Sequence, residues 1–147
     1  MLSAQPSDEE IGTNLSDIDE MLDLARRSDS DTEIEQLANR CLIRARSVRY
    51  ESGMVRASML LGDVCTRSGR SEKALRHYLE AEDRAVSSKN QRLLPAIYRA
   101  MGDLFYTQKL YNNASKYYKL ALSVEPANFQ TVEKAADAAL MEMRYDS

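Results

Sequence analysis

Hydrophobic residues recur along this chain of 147 residues at spacings of three and four, with polar residues between them. This spacing is typical of helices that bury one face. Glycine and proline are scarce, with five and three residues, which also favours helices over sheet. The pattern predicts seven helices: one from Asn14 or Ser16 to about 27, then about 33–50, 54–67 and 71–86, one from Gln91 or Leu93 to 108, and then 112–124 and 129–144. Gly53 is expected to separate the second helix from the third, and Ser68-Gly69-Arg70 the third from the fourth.

Two stretches of the chain carry the same residues in the same order, forty positions apart. The first contains Leu61, Gly62, Cys65, Ala74, Tyr78 and Ala81, and the second Met101, Gly102, Phe105, Ala114, Tyr118, Ala121 and then Pro126. Glycine costs about 1 kcal/mol of helix propensity relative to alanine, so a repeated mid-helix glycine indicates a steric reason. We expect each glycine to meet the alanine twelve residues later where two antiparallel helices approach most closely. The tyrosines are expected to fill the layers above and below that contact.

This arrangement resembles the tetratricopeptide repeat family. The resemblance is close over 95–128, where Tyr98 replaces the family's tryptophan, good over 55–88, and weak over 15–50, where Arg26 replaces the glycine. It implies an all-α fold: antiparallel helical hairpins stacked as a right-handed solenoid of about three repeats, with a capping helix at 129–144. The family repeats every 34 residues, so the forty-residue spacing implies a variant with longer helices. The repeat domain is expected to span 14–147, after a disordered acidic segment at 1–13 that contains Pro6 and Gly12.

The resemblance also implies a concave groove, lined by the first helix of each repeat, in which ligands bind. The groove positions carried over to this chain are Arg56, Met59, Asp63, Arg67, Arg99, Asp103, Tyr106, Gln130, Glu133 and Asp137. Asp63 with Arg67, and Arg99 with Asp103, lie four residues apart, so pairing within one helix is the alternative to a role in binding. One subtype of the family clamps the carboxylate at a peptide's C-terminus with side chains that include asparagine. Asp63 and Asp103 occupy those asparagine positions, where their negative charge would repel a carboxylate. A protein or peptide partner of basic or mixed charge is therefore predicted.

The remaining tyrosines near this region are assigned by position. Tyr118 is expected in the core and Tyr106 in the groove. Tyr111 and Tyr117 are expected at the periphery, where they could anchor a partner or a second copy of the chain.

Candidate residues for other chemistry are sparse. Cys41 and Cys65 lack a CxxC spacing and a nearby histidine, so neither a metal site nor a disulfide framework is predicted. His77, the single histidine, has no nucleophile or acid placed to work with it. The sequence contains no glycine-rich phosphate loop and no nucleophile motif. It therefore predicts no cofactor and no enzymatic activity.

The charge is unevenly distributed. Residues 1–35 contain eleven acidic and two basic side chains, whereas the remainder contains twelve acidic and eighteen basic ones. Either the acidic segment packs beside the basic helices, the interpretation we favour, or the basic part attracts nucleic acid or acidic peptides. The arginine-rich stretch 40–56 has one interleaved aromatic residue, Tyr50, and the pI is about 5.3. Nucleic acid is therefore not an expected partner.

The leading hypothesis is a scaffold or adaptor that holds a peptide or helix of a protein partner in the groove. The alternatives are a sensory or regulatory module of a larger signalling protein, and an oligomerisation unit using Leu140, Met141 and Met143 on the capping helix.

No apolar run approaches the roughly 20 residues that span a bilayer, and 1–10 lack the features of a signal peptide. No membrane partner and a cytoplasmic location are expected. The end at 144–147, without a disordered tail, favours a fragment of a longer protein.

Overall fold

A computed structural model describes residues 8–145, with side chains described from Leu15 onward. This part of the chain contains seven α-helices: α1 (Asp8–Arg27), α2 (Asp31–Ser47), α3 (Glu51–Arg67), α4 (Ser71–Ser87), α5 (Leu94–Thr107), α6 (Tyr111–Val124) and α7 (Phe129–Tyr145). A short 3-10 helix, Gln91–Leu93, precedes α5. Consecutive helices pair as antiparallel hairpins and stack in chain order. The expected all-α fold of helical hairpins is confirmed.

The first helix begins earlier than expected. α1 starts at Asp8, not at Asn14 or Ser16, so the expected disorder of 1–13 is wrong for residues 8–13. The remaining part of that prediction, 1–7, lies outside the described residues. The sequence places Asp8, Glu9 and Glu10 in the first turn, where negative charge complements the positive end of the helix dipole.

Four successive helices end in the same way, at residues twenty positions apart. The residue that ends each turn has a left-handed backbone: Arg49 (φ 56°), Gly69 (φ 78°), Lys89 (φ 59°) and Lys109 (φ 62°). The next residue then donates its N–H to the carbonyl five positions earlier, as when Arg70 donates to Cys65 at 2.8 Å. This bond is typical of a Schellman cap, which satisfies carbonyls at the helix end. Two such helix-and-turn units account for the forty-residue spacing.

Gly53 does not separate α2 from α3. It lies inside α3, buried, and a Cβ there would stand 2.7 Å from Cδ2 of Tyr50. The left-handed residue Arg49 makes the turn instead. The absence of a side chain at Gly53 thus permits close packing of the Tyr50 ring at the start of the helix.

The repeated glycines accommodate tyrosine rings, which are the atoms nearest to a Cβ placed at either glycine. A Cβ on Gly62 would stand 2.5 Å from Cε1 of Tyr78, and one on Gly102 would stand 2.5 Å from Cε1 of Tyr118. Each ring therefore lies directly against the first helix of its hairpin. Both tyrosines are buried, and they pack within the apolar clusters that join neighbouring helices. Burial of such a side chain stabilises the fold by roughly 1.5–3 kcal/mol.

Candidate binding groove

Each of the two well-formed hairpins contains a tyrosine–aspartate pair. Tyr78 Oη on α4 donates to Asp63 Oδ1 on α3 at 2.5 Å, and Tyr118 Oη on α6 donates to Asp103 Oδ1 on α5 at 2.6 Å. Burial raises the pKa of both phenols well above the ordinary value, so both remain protonated donors at neutral pH. The glycine before each aspartate allows the ring to cross the first helix, which brings the hydroxyl to the carboxylate.

The two aspartates differ in their ionic partners. Lys134 Nζ on α7 lies 2.9 Å from both carboxylate oxygens of Asp103. Asp63 forms no ion pair within the part of the chain that the structure describes. Burial raises the pKa of Asp63, an effect opposed by the hydrogen bond from Tyr78 and by the charge of Arg67. The negative charge of Asp103 raises it further, because the two carboxylates are close enough to interact.

The arginines near these aspartates pair with other helices. Arg67 donates from Nε and Nη2 to Asp31 Oδ1 on α2, at 3.1 and 2.9 Å. Arg99 donates to Glu125, just after α6, at 3.2 Å. The alternative in which each arginine pairs with the aspartate on its own helix is therefore wrong. Side chains of this length reach the neighbouring helix, where a carboxylate is available.

Arg56 and Met59 contribute to packing between helices. Arg56 forms a short ion pair with Asp19 on α1 and donates to Tyr50 Oη at 2.7 Å. Its guanidinium carbon also lies 5.6 Å from the centre of the Tyr50 ring. Met59 is half-buried against the cluster formed by α3, α4 and α5. Both groove predictions thus fall on residues that already have partners within the chain.

At the α7 end, the predicted groove residues separate into two groups. Asp103, Tyr106 and Asp137 line one cavity of about 190 Å³, together with Tyr118 and Lys134. Tyr106 Oη donates to Asp137 Oδ2 at 2.8 Å, which joins α5 to α7. Gln130 and Glu133 are exposed and do not line this cavity.

Two tyrosine predictions have different outcomes. Tyr111, expected at the periphery, is buried, with its ring edge-on to Tyr106 at 5.3 Å between centroids. Tyr117 is half-buried and stacks on Phe105, with centroids 5.4 Å apart and the ring planes 11° apart. The aromatic side chains therefore stabilise the last hairpin internally.

A second, larger cavity lies where α1, α2 and α3 meet. It has a volume of about 450 Å³ and is lined by Asp63 and Arg67 with Ala25, Arg26, Ser28, Asp29, Asp31, Ile34 and Leu60. Asp31 is neutralised by Arg67, whereas Asp29 makes no ion pair among the described residues. Sequence reasoning did not identify Asp29 and Asp31 as candidate site residues. Their role as lining residues depends on how α1 and α2 meet α3.

The groups that could perform other chemistry are placed unfavourably for it. Burial raises the pKa of the Cys41 and Cys65 thiols, so both remain protonated. Burial also lowers the pKa of the His77 imidazole, which keeps the ring neutral at pH 7. Within the described residues, no cluster of side chains suits a metal ion, and no helix is sufficiently long and apolar to cross a bilayer.

The fold and its repeated tyrosine–aspartate pairs define a helical-repeat protein. Residues 54–125 match the family model described as tetratricopeptide repeat, and this part of the chain belongs to that family. No curated protein matches the chain. Tetratricopeptide repeats are a non-catalytic fold that generally mediates protein–protein interaction, so binding of proteins is the general role of these residues.

Proposed function

We propose that the chain is an interaction scaffold that binds a segment of a protein partner along α1, α3 and α5, and that the segment carries a basic side chain. The observation that supports this proposal is the state of Asp63. Asp63 is half-buried, burial raises its pKa, and its carboxylate has a hydrogen bond from Tyr78 but no ion pair within the described chain. A desolvated carboxylate gains strongly from a cation, because the pair interacts in a medium of low dielectric constant.

The other hairpin illustrates the interaction that we propose. There the ammonium of Lys134 binds the aspartate of the equivalent tyrosine–aspartate pair, at 2.9 Å from both carboxylate oxygens of Asp103. Among the described residues, α5 supplies no such ion pair to Asp63, whereas α7 supplies one to Asp103. A lysine or arginine from a partner would supply at Asp63 the charge that α7 supplies at Asp103.

The cavity beside Asp63 suits such a side chain. Its apolar lining, which includes Ala25, Ile34 and Leu60, can cover the methylene stem of a lysine or arginine. Asp63 and Asp29 can receive the charged end. Arg26 and Arg67 line the same cavity, and they favour a partner segment of mixed charge over a uniformly basic one.

The test uses a displayed library of random twelve-residue peptides, selected on the immobilised protein. We expect the selected peptides to share a lysine or arginine, and Asp63→Asn to weaken their binding about tenfold to a hundredfold. This range corresponds to the roughly 1.5–3 kcal/mol of a hydrogen bond to a charged group. Calorimetry with the selected peptides measures the change.

Asp103→Asn is the matched control, because Lys134 already neutralises that carboxylate. We expect it to change peptide affinity less than threefold, a margin of roughly 0.6 kcal/mol. Selected peptides without a basic residue, or equal losses in the two variants, would contradict the proposal. The sensory-module alternative and the cytoplasmic location remain predictions.

A further inference from the structure

The last helix has apolar side chains on two opposite faces. Thr131 and Ala138 are fully buried on the inner face, against α6 and its neighbours. The outer face carries a stripe at successive spacings of three, four, four and three residues: Phe129, Val132, Ala136, Leu140 and Met143. Three of these residues are strongly exposed, Phe129 at 83%, Leu140 at 61% and Met143 at 74%. Such spacing is typical of the seam along which two helices pack.

Two opposite charges lie along one edge of this stripe. Glu133 and Arg144 are both exposed and eleven residues apart, which is about three helical turns and roughly 16 Å. Neither residue forms an ion pair within the described part of the chain. In an antiparallel helix pair, side chains of one edge meet the same edge of the partner helix in reversed order. Glu133 of each copy would then meet Arg144 of the other, twice in one interface.

We infer that the outer face of α7 binds the α7 of a second copy of this chain, with the two helices antiparallel. In the register that pairs Glu133 with Arg144, the small Ala136 of one copy lies beside Leu140 of the other, so a large side chain packs over a small one. A parallel pair would instead place this edge beside the opposite edge of the partner helix, so Glu133 of one copy would not meet Arg144 of the other. The structure therefore points to a two-fold symmetric dimer.

The interface is tested first by mass. Sedimentation equilibrium and light scattering of the purified chain should give twice the mass of one chain at micromolar concentration. Leu140→Lys should give a monomer with an unchanged helical circular dichroism spectrum. Ile43→Lys is the matched control, since Ile43 is 66% exposed on α2, far along the chain from α7, and this variant should remain dimeric. A monomeric parent chain at all concentrations, or a dimeric Leu140→Lys variant, would overturn the inference.

The register is tested by exchanging charges. Glu133→Arg and Arg144→Glu should each raise the dimer dissociation constant about tenfold, because each creates two like-charge contacts. The double variant, which carries both changes, should return to within about twofold of the parent. Failure of the double variant to recover would overturn the antiparallel register. Peptide binding at Asp63 is measured separately, so its outcome does not affect this test.

Discussion

At the scale of single residues, the repeated glycine, tyrosine and aspartate act as one unit. Gly62 leaves room for the ring of Tyr78, and the ring brings its hydroxyl to Asp63 at 2.5 Å. The same unit recurs at Gly102, where Tyr118 reaches Asp103. The missing side chain of a glycine on one helix thus positions the tyrosine hydroxyl of the next helix. The glycine contributes to the groove in this way without lining it.

The first residue-scale prediction concerns Gly62→Ala. The new methyl group would overlap the ring of Tyr78, which has to move and lose its bond to Asp63. We expect the free energy of unfolding to fall by about 1–2 kcal/mol, although alanine is the better helix former. Urea denaturation measures the change. In a Tyr78→Leu background the same substitution should be neutral or stabilising; an equal loss in both backgrounds would refute a clash with the ring.

The second residue-scale prediction concerns the pH dependence of Asp63. Its pKa is raised in the folded chain, so the folded state binds more protons there than the unfolded state does. The stability that Asp63 contributes is therefore greatest below its unfolded pKa, near 3.9, and declines as the pH rises through the folded pKa.

Asp63→Asn removes this decline while keeping an acceptor for Tyr78. We expect the variant to be at least as stable as the parent at pH 7 in thermal unfolding, with the difference vanishing near pH 3. Asp103→Asn should instead lose up to about 1 kcal/mol at pH 7, because it breaks the pair with Lys134. Destabilisation of similar size in both variants would contradict the proposed difference between the two sites.

At the scale of elements, the helices from α2 to α5 share one cap but not one capping residue. Glycine takes the left-handed position only at Gly69, whereas Arg49, Lys89 and Lys109 take it elsewhere. A side chain in this conformation costs roughly 1–2 kcal/mol, which glycine avoids. The repeat therefore preserves the turn geometry and tolerates the local strain at three of its four occurrences.

This strain gives an element-scale prediction. Lys109→Gly should raise the free energy of unfolding by about 0.5–1 kcal/mol, since φ at Lys109 is 62°. Gly69→Ala should lower it by about 1 kcal/mol. A Cβ at Gly69 would meet nothing within 4 Å, so backbone conformation alone accounts for that loss. Chemical denaturation of the two variants should show changes of opposite sign; changes of the same sign would refute this account.

At the scale of the whole molecule, the uneven charge distribution has a structural role. Asp19 pairs with Arg56, Asp31 with Arg67, and Glu35 with Arg70, so acidic side chains from the first 35 residues contact arginines of α3 and of the turn before α4. The prediction that the acidic segment packs beside the basic helices is confirmed for these residues. The charges hold neighbouring hairpins in register, alongside the apolar clusters that run between them.

The sequence by itself determined the helices, their pairing into hairpins and the equivalent positions of Asp63 and Asp103. These features follow from local periodicity and from one repeated pattern, and both can be read within forty residues. Only the tertiary structure decided which carboxylate is neutralised. Lys134 reaches Asp103 across 31 positions and Arg67 reaches Asp31 across 36. The partner of a long, flexible side chain depends on which helices pack beside it. The spacing of residues within one helix does not specify that packing.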